Sequence, residues 1–373
     1  MRRLYSIGWL FLAVIWTGCA DPVGPNPMFT PLAAVVDPTP SPIQVYGSWH
    51  CSNDFCTWGA ERNLTDFDNM NHWLVDRGDG RPSVNLVVLS FVHPYRLLKK
   101  TTDAQTLNGI PRGMTPAIVD YFKSRGIRVM LSIGGITYVS AWNQALAENA
   151  TQLGLNAAEV AGTLGVGFEI DYEESRRPDT TGVQKFIDAY RSVHPYDATG
   201  ANHPARLTID LAAGARWLID LTNKATRAWL RTDVPVLDYA NAMVPARQPS
   251  ATTAIEYWQE HVDGKPQYAP PILPLAPAKF TGSLYIADGG KAINECVNYS
   301  KSLQSATRTF VQGVLPKGGT GTTAGMLGFM FWAAERPAVR GIGTVPPNGC
   351  ANGVGTGATA MDIPVPMSAL RMR

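Results

Sequence analysis

Eight short apolar runs recur along the chain, most of them continuous: residues 44–48, 84–91, 128–133, 166–172, 206–211, 237–244, 271–275 and 326–332. They are rich in β-branched and aromatic residues. Strands buried on both faces read this way, because neither side of the pleat meets water. Helix-like stretches lie between several of them. Residues 115–125 place Ile118, Val119 and Phe122 on one side and are followed by Gly126, a residue favoured just past a helix end. Residues 184–191 and 254–262 are further candidates. Strands alternating with helices across residues 43–350 predict an α/β protein, a (β/α)8 TIM barrel in a single domain. A doubly wound open sheet is the alternative. Such a sheet usually carries a glycine-rich phosphate turn after its first strand, whereas Trp49-His50-Cys51 follows here.

The ends of the chain read differently. Arg2 and Arg3 precede the apolar stretch 9–16 (WLFLAVIW), which is short for a membrane span and is followed by Thr17-Gly18-Cys19. Residues 1–19 are therefore expected to be a lipoprotein-type signal peptide, with Cys19 lipidated and anchoring the chain to a membrane. Simple secretion is the alternative. Either way the expected location is outside a bacterial cytoplasm, as a cell-envelope lipoprotein or a secreted protein. Residues 20–42 are proline-rich and resemble an extended tether, and 351–373 form a weakly patterned tail.

Beyond Cys19, four cysteines remain: Cys51, Cys56, Cys296 and Cys350. An even number in an exported chain predicts two disulfides. The pairing Cys51–Cys56 with Cys296–Cys350 is favoured, since the first pair closes a short loop. No CxxC pair occurs, so neither a structural zinc nor another metal is expected. Gly318-Gly319-Thr320-Gly321 lacks the lysine of a phosphate loop, and no cofactor is expected. A net charge of +2 carries no electrostatic footprint for nucleic acid.

Residues 166–173, Val-Gly-Phe-Glu-Ile-Asp-Tyr-Glu, carry the chemistry. In a strand, Glu169, Asp171 and Glu173 share one face, while Phe168, Ile170 and Tyr172 share the other. Carboxylates this close raise one another's pKa, which suits a general acid near neutral pH. Glu174 is expected to point outward, on a loop with Arg176, Arg177 and Asp179. One strand earlier, Ser132-Ile133-Gly134-Gly135 ends in paired glycines that let the backbone bend at the strand's carboxyl end.

Ser132-x-Gly134-Gly135 followed by Gly167-Phe168-Glu169-Ile170-Asp171-Tyr172-Glu173 resembles glycoside hydrolase family 18, the family of chitinases and endo-β-N-acetylglucosaminidases. That family carries S-x-G-G on its third barrel strand and D-G-x-D-x-D-x-E on its fourth. Phe329-Met330-Phe331-Trp332 is similar to its eighth strand, whose tryptophan floors a sugar subsite. The sequence departs from the pattern at Val166 and Glu169, where aspartates stand in the family. It departs again at Pro245 and Ala246, where Tyr and Asp of an M-x-Y-D motif beginning at Met243 are expected.

The resemblance implies a glycosidase acting on an N-acetylglucosamine-containing glycan by retaining, substrate-assisted hydrolysis. Glu173 would be the acid and base. Asp171 would hold the substrate's acetamido N–H, and Glu169 would sit below Asp171 and share a proton with it. Trp332, Ser132, Gly134, Gly135, Tyr46, Trp49 and Met243 would line the substrate site, with Trp142 and Trp217 as further stacking surfaces. Too few residues separate the seventh and eighth strands for the small α+β insertion of some relatives. An open cleft suited to endo-cleavage is therefore expected, in a monomer. A barrel that binds N-acetylglucosamine oligomers without cleaving them is the alternative.

Overall fold

A computed structural model describes residues 41–53, 63–76, 80–243, 251–285, 301–317 and 324–332. The leader with Cys19, most of the tether, Cys56, Cys296, Cys350, Pro245, Ala246 and the tail 351–373 lie outside the described residues. Eight parallel strands close a barrel: β1 (Val45–Cys51), β2 (Leu86–Val92), β3 (Arg128–Gly134), β4 (Gly167–Asp171), β5 (Leu207–Leu211), β6 (Ala240–Ala242), β7 (Phe280–Tyr285) and β8 (Gly328–Trp332). The ladder closes where Val45 of β1 meets Gly328 of β8. Around it, in chain order, run α1 (Leu64–Val75), α2 (Pro94–Lys99), α3 (Pro116–Lys123), α4 (Val139–Leu164), α5 (Thr180–Val193), α6 (Ile219–Lys224), α7 (Ala251–Asp263) and α8 (Lys301–Gly313). The (β/α)8 expectation is met. Among the described residues, α8 is the only element between β7 and β8.

Strand parity sorts side chains into two cores. Phe168, Ile170, Leu207 and Ile209 face outward and join the strand–helix layer. Inside the barrel, Val45, Trp49, Leu86, Val88, Met130, Tyr239, Leu327 and Met330 form a smaller apolar cluster. The remaining interior is polar: Ser132, Glu169, Thr208, Asp210, Asn241 and Thr281 are all buried. The polar half comes from β3 to β7, which is where the site lies.

This polar interior explains one misplaced strand. The seventh strand was expected at residues 271–275, but it is β7, nine residues later at its start. Pro270, Pro271 and Pro274 withhold ladder donors from the apolar stretch, whose Ile272 makes only an isolated bridge to Lys265. β7 itself reads Phe-Thr-Gly-Ser-Leu-Tyr, with Phe280 and Leu284 outward and Thr281 reaching a buried asparagine inside. Thr281, Gly282 and Ser283 interrupt its apolar residues, so it does not read as a buried run.

Several polar residues act in local structure. Asn63 caps α1, its side chain accepting from the backbone N–H of Thr65 at 2.8 Å. Thr115 caps α3 and Asp179 caps α5. At the amino-terminal end of the barrel Asp238 accepts from Leu207 N–H at 2.7 Å and pairs with the buried Arg206 and with Arg191.

Candidate active site

The carboxyl end of β4 is built by its two neighbours. On one side Gly134 of β3 is the ladder partner of Asp171 and has φ of +123°. A Cβ there would overlap the Asp171 carbonyl oxygen and the Trp142 indole nitrogen. Only glycine permits both the dihedral and this approach. The chain then turns through Gly135, whose N–H donates to the Asp171 carbonyl at 3.0 Å, as does Trp142 Nε1 at 3.0 Å. This turn delivers the backbone N–H of Ile136 to the Glu173 carboxylate. Gly134 and Gly135 thus shape the catalytic strand's surroundings.

Glu169, Asp171 and Glu173 lie on one face of the β4 segment, and Phe168, Ile170 and Tyr172 are packed on the other. Tyr172 donates to Asn143 of α4 and accepts from Asp179 N–H at 3.1 Å, which anchors the segment just past β4. Burial is the main cause that lifts Glu173 from 4.5 to about 7, against the opposing hydrogen bond from Ile136. Asp171 is raised well above the ordinary range, first by burial and then by the charges of Glu173 and Glu169. Its Oδ1 is buried without a hydrogen-bond partner among the described residues.

Glu169 differs from expectation. Trp49 Nε1 donates to its Oε1 at 2.8 Å and Asn241 Nδ2 to its Oε2 at 2.6 Å. Its carboxyl partner is Asp210 of β5, with which it shares a hydrogen bond, and Asp171 acts on it only through charge. The expectation that Glu169 shares its proton with Asp171 is therefore corrected. Asp171 sits two residues up the strand, whereas Asp210 reaches across from the neighbouring one. Burial raises Glu169 despite these donors.

Asp210 and Asn241 went unnoticed in the sequence. Each is a polar residue inside a run of hydrophobic ones, Leu-Thr-Ile-Asp-Leu and Ala-Asn-Ala. A carboxylate at an inward parity position of a buried strand was the available signal.

The expected substrate-lining residues separate into groups. Trp332 ends β8 half-buried, with its ring centroid 5.6 Å from that of Phe91. Ser132 is the ladder partner of Glu169 and is buried beside it. Trp49 points inward but is 4% exposed, so it supports Glu169 from below. Tyr46 does not line the cleft. One residue along β1 from inward Val45, it faces the helices and packs against Phe331 at 4.8 Å. Met243 follows β6, half-buried against the strand–helix core. Trp142 is fully buried and holds the Asp171 carbonyl, so it offers no stacking face. Trp217, after β5, is 41% exposed. Glu174 accepts from Arg176 N–H at 2.8 Å and stabilises its own loop. Cys51 closes β1, and its three candidate partners lie outside the described residues.

A parallel barrel with buried carboxylates at the carboxyl ends of its strands has the layout of a barrel enzyme. Comparison places the fold more narrowly. A Group IV chitinase from Ostrinia furnacalis superposes with a TM-score of 0.51 at 9% identity, over 86% of this chain and 98% of that one. A chitinase from Rhizomucor miehei gives 0.48 at 13% identity, over 85% and 99%. A family 18 chitinase from Pseudoalteromonas aurantia gives 0.44 at 14% identity, over 78% and 94%. The chain has a chitinase-like fold, as its motifs led one to expect. No protein-family model matches the sequence. No curated protein matches it either.

Proposed function

We propose that the protein is a glycoside hydrolase that cleaves β-1,4 linkages beside N-acetylglucosamine, in chitin oligosaccharides or the chitobiose core of N-glycans. The observation that carries this reading is the pairing of Asp171 and Glu173 on one face where β4 opens to the barrel mouth. Glu173 holds its proton up to about 7, and Asp171 keeps an oxygen without a partner among the described residues. Glu173 protonates the glycosidic oxygen as the substrate's acetamido oxygen attacks the anomeric carbon. The leaving group departs as an alcohol, and a cyclic oxazolinium remains. Asp171 meets the acetamido N–H with an oxygen and holds the acetamido group in line for the attack. Glu173, now a carboxylate, takes a proton from water. That water opens the ring on the face the leaving group had occupied, which gives net retention.

Trp332 supplies a flat apolar face for the sugar ring at the subsite where these steps occur, and the exposed Trp217 offers another on the rim. Residues 286–327, between β7 and β8, include α8 and leave too few for the small α+β insertion, which supports an open cleft and endo-cleavage. The test is Glu173→Gln against chitin oligosaccharides and N-glycans, read by mass spectrometry. The variant is expected to lose turnover by at least about 10³-fold while its circular dichroism stays that of the wild type. Wild-type rates in this variant would overturn the assignment. So would indifference of the wild type to a thiazoline mimic of the oxazolinium.

A further inference from the structure

A fourth carboxylate stands in the acidic column. Asp210 is 2% exposed inside β5, with Asn241 of β6 as its ladder partner, and Thr208 two residues before it is the partner of Glu169. It hydrogen-bonds Glu169 and receives a hydrogen bond from the Asn241 side chain. The Asn241 amide is oriented by Thr281, whose hydroxyl donates to its Oδ1 at 2.6 Å, so its NH2 group is turned to the carboxylates.

The groups around Asp210 set where protons reside. From β4 it faces Glu169 and Asp171, and from β6 Asn241. Glu169 additionally faces Trp49 of β1, Ser132 of β3 and Tyr239 ahead of β6. None of these is a cation. The arginines, Arg128 and Arg206, lie on the far side of Tyr239, with Asp238. Two carboxyls in one hydrogen bond, with no cation beside them among the described residues, cannot both be ionised, so the pair holds a proton. Glu169 accepts from Trp49 and Asn241, which favours its ionised form, while Oδ1 of Asp210 has no donor. The proton therefore sits on Asp210. With Trp49, Asn241 and Asp210 all donating to it, Glu169 has most of its acceptor sites filled.

We propose that Asp210 is a positioning residue: it keeps a resident proton in a hydrogen bond to Glu169, so that Glu169 does not draw Asp171 inward and Asp171 stays turned to Glu173 and the substrate. This rests on the reading of Asp171 and Glu173 given above. It makes the support of the acetamido-binding carboxylate a pair drawn from two strands, β4 and β5, in place of a single strand's ladder of acids.

Two substitutions separate the possibilities. Asp210→Asn keeps a donor toward Glu169 without a titrating group, and is expected to retain kcat within a few-fold. Asp210→Ala removes the donor, and is expected to lower kcat by about 100-fold with little change in KM, because Asp171 is displaced. Equal losses in the two variants, or none in Asp210→Ala, would overturn the proposal while leaving hydrolysis itself established. An infrared difference spectrum of wild type minus Asp210→Asn at neutral pH reads the proton without substrate. A protonated-carboxyl C=O stretch is expected, and a carboxylate stretch in its place would overturn the proposal even if the wild type proved inactive on every glycan tried.

Discussion

Glu173 is poised by two opposed influences, burial that favours the neutral acid and the Ile136 N–H that favours the anion. With its proton held up to about 7, the proposed acid is available at neutral pH and lost above it. The rate of glycan hydrolysis is therefore expected to fall on the alkaline side with a midpoint near that value, and a profile flat from pH 6 to about 9 would exclude Glu173 as the acid. Its neighbour Asp171 is raised for a different mix of reasons, burial first and then two like charges. Position on the strand decides this difference. Glu173 lies at the open end, while Asp171 is 4% exposed between two acids.

At the scale of elements, β4 and its partners act as a frame. Gly134 admits the Asp171 carbonyl, and the turn after β3 supplies the Ile136 N–H. Helix α4 backs the frame with a face of small residues. Ala150, Gly154, Ala157, Ala158 and Ala161 are buried, and a Cβ at Gly154 would collide with the Phe186 carbonyl of α5. The low hydrophobic bulk of that stripe, together with a break at Asn149 whose backbone is not helical, is why α4 did not stand out in the sequence. Opposite the site, Asp238 ties the N–H of Leu207 to Arg206 and Arg191 and so holds β5 and β6 in register at the barrel floor. Asp238→Ala leaves Arg206 buried without its carboxylate. The variant is expected to be about 3–5 kcal/mol less stable in chemical denaturation. A loss below about 1 kcal/mol would show that the floor does not depend on this pair.

The whole molecule carries the acidic column as a stability cost that grows with pH. Glu169, Asp171, Asp210 and Glu173 all have folded-state values raised above their ordinary range. The folded state therefore binds more protons than the unfolded chain. The stability linked to those protons is complete below the ordinary carboxyl values and is lost as pH rises through the raised ones. For Glu173 the window runs from 4.5 to about 7, and the loss is on the order of 3 kcal/mol. Buried His50 and His261, lowered to about 4, add an opposite slope below 6.5, so the quantity to read is a difference: the stability of the wild type relative to Glu173→Gln is expected to decline across that window. A wild-type stability that climbs relative to that of Glu173→Gln from pH 5 to about 8 would contradict the raised value.

The parity of the acidic strand, the bend at Ser132-x-Gly134-Gly135 and the alternation of strands with helices were legible in the sequence, because each depends on residues within one or two elements. β7 was not, since proline-interrupted residues 271–275 look more apolar than a strand whose inner face meets polar groups. Tyr46 and Trp49, three residues apart, face opposite ways by strand parity, but only the closed ladder decides that Tyr46 meets the helices and Trp49 reaches Glu169. The same holds for Glu169 itself. Its spacing from Asp171 was read from the chain, yet its hydrogen bonds come from Trp49, Asp210 and Asn241, residues on three other strands. The sequence alone determined which acids share a face, because strand geometry has a period of two. Which of them share a proton was decided by tertiary structure, because hydrogen bonds act over a few ångströms, and strand pairing brings β5, and barrel closure β1 and β6, that near to β4.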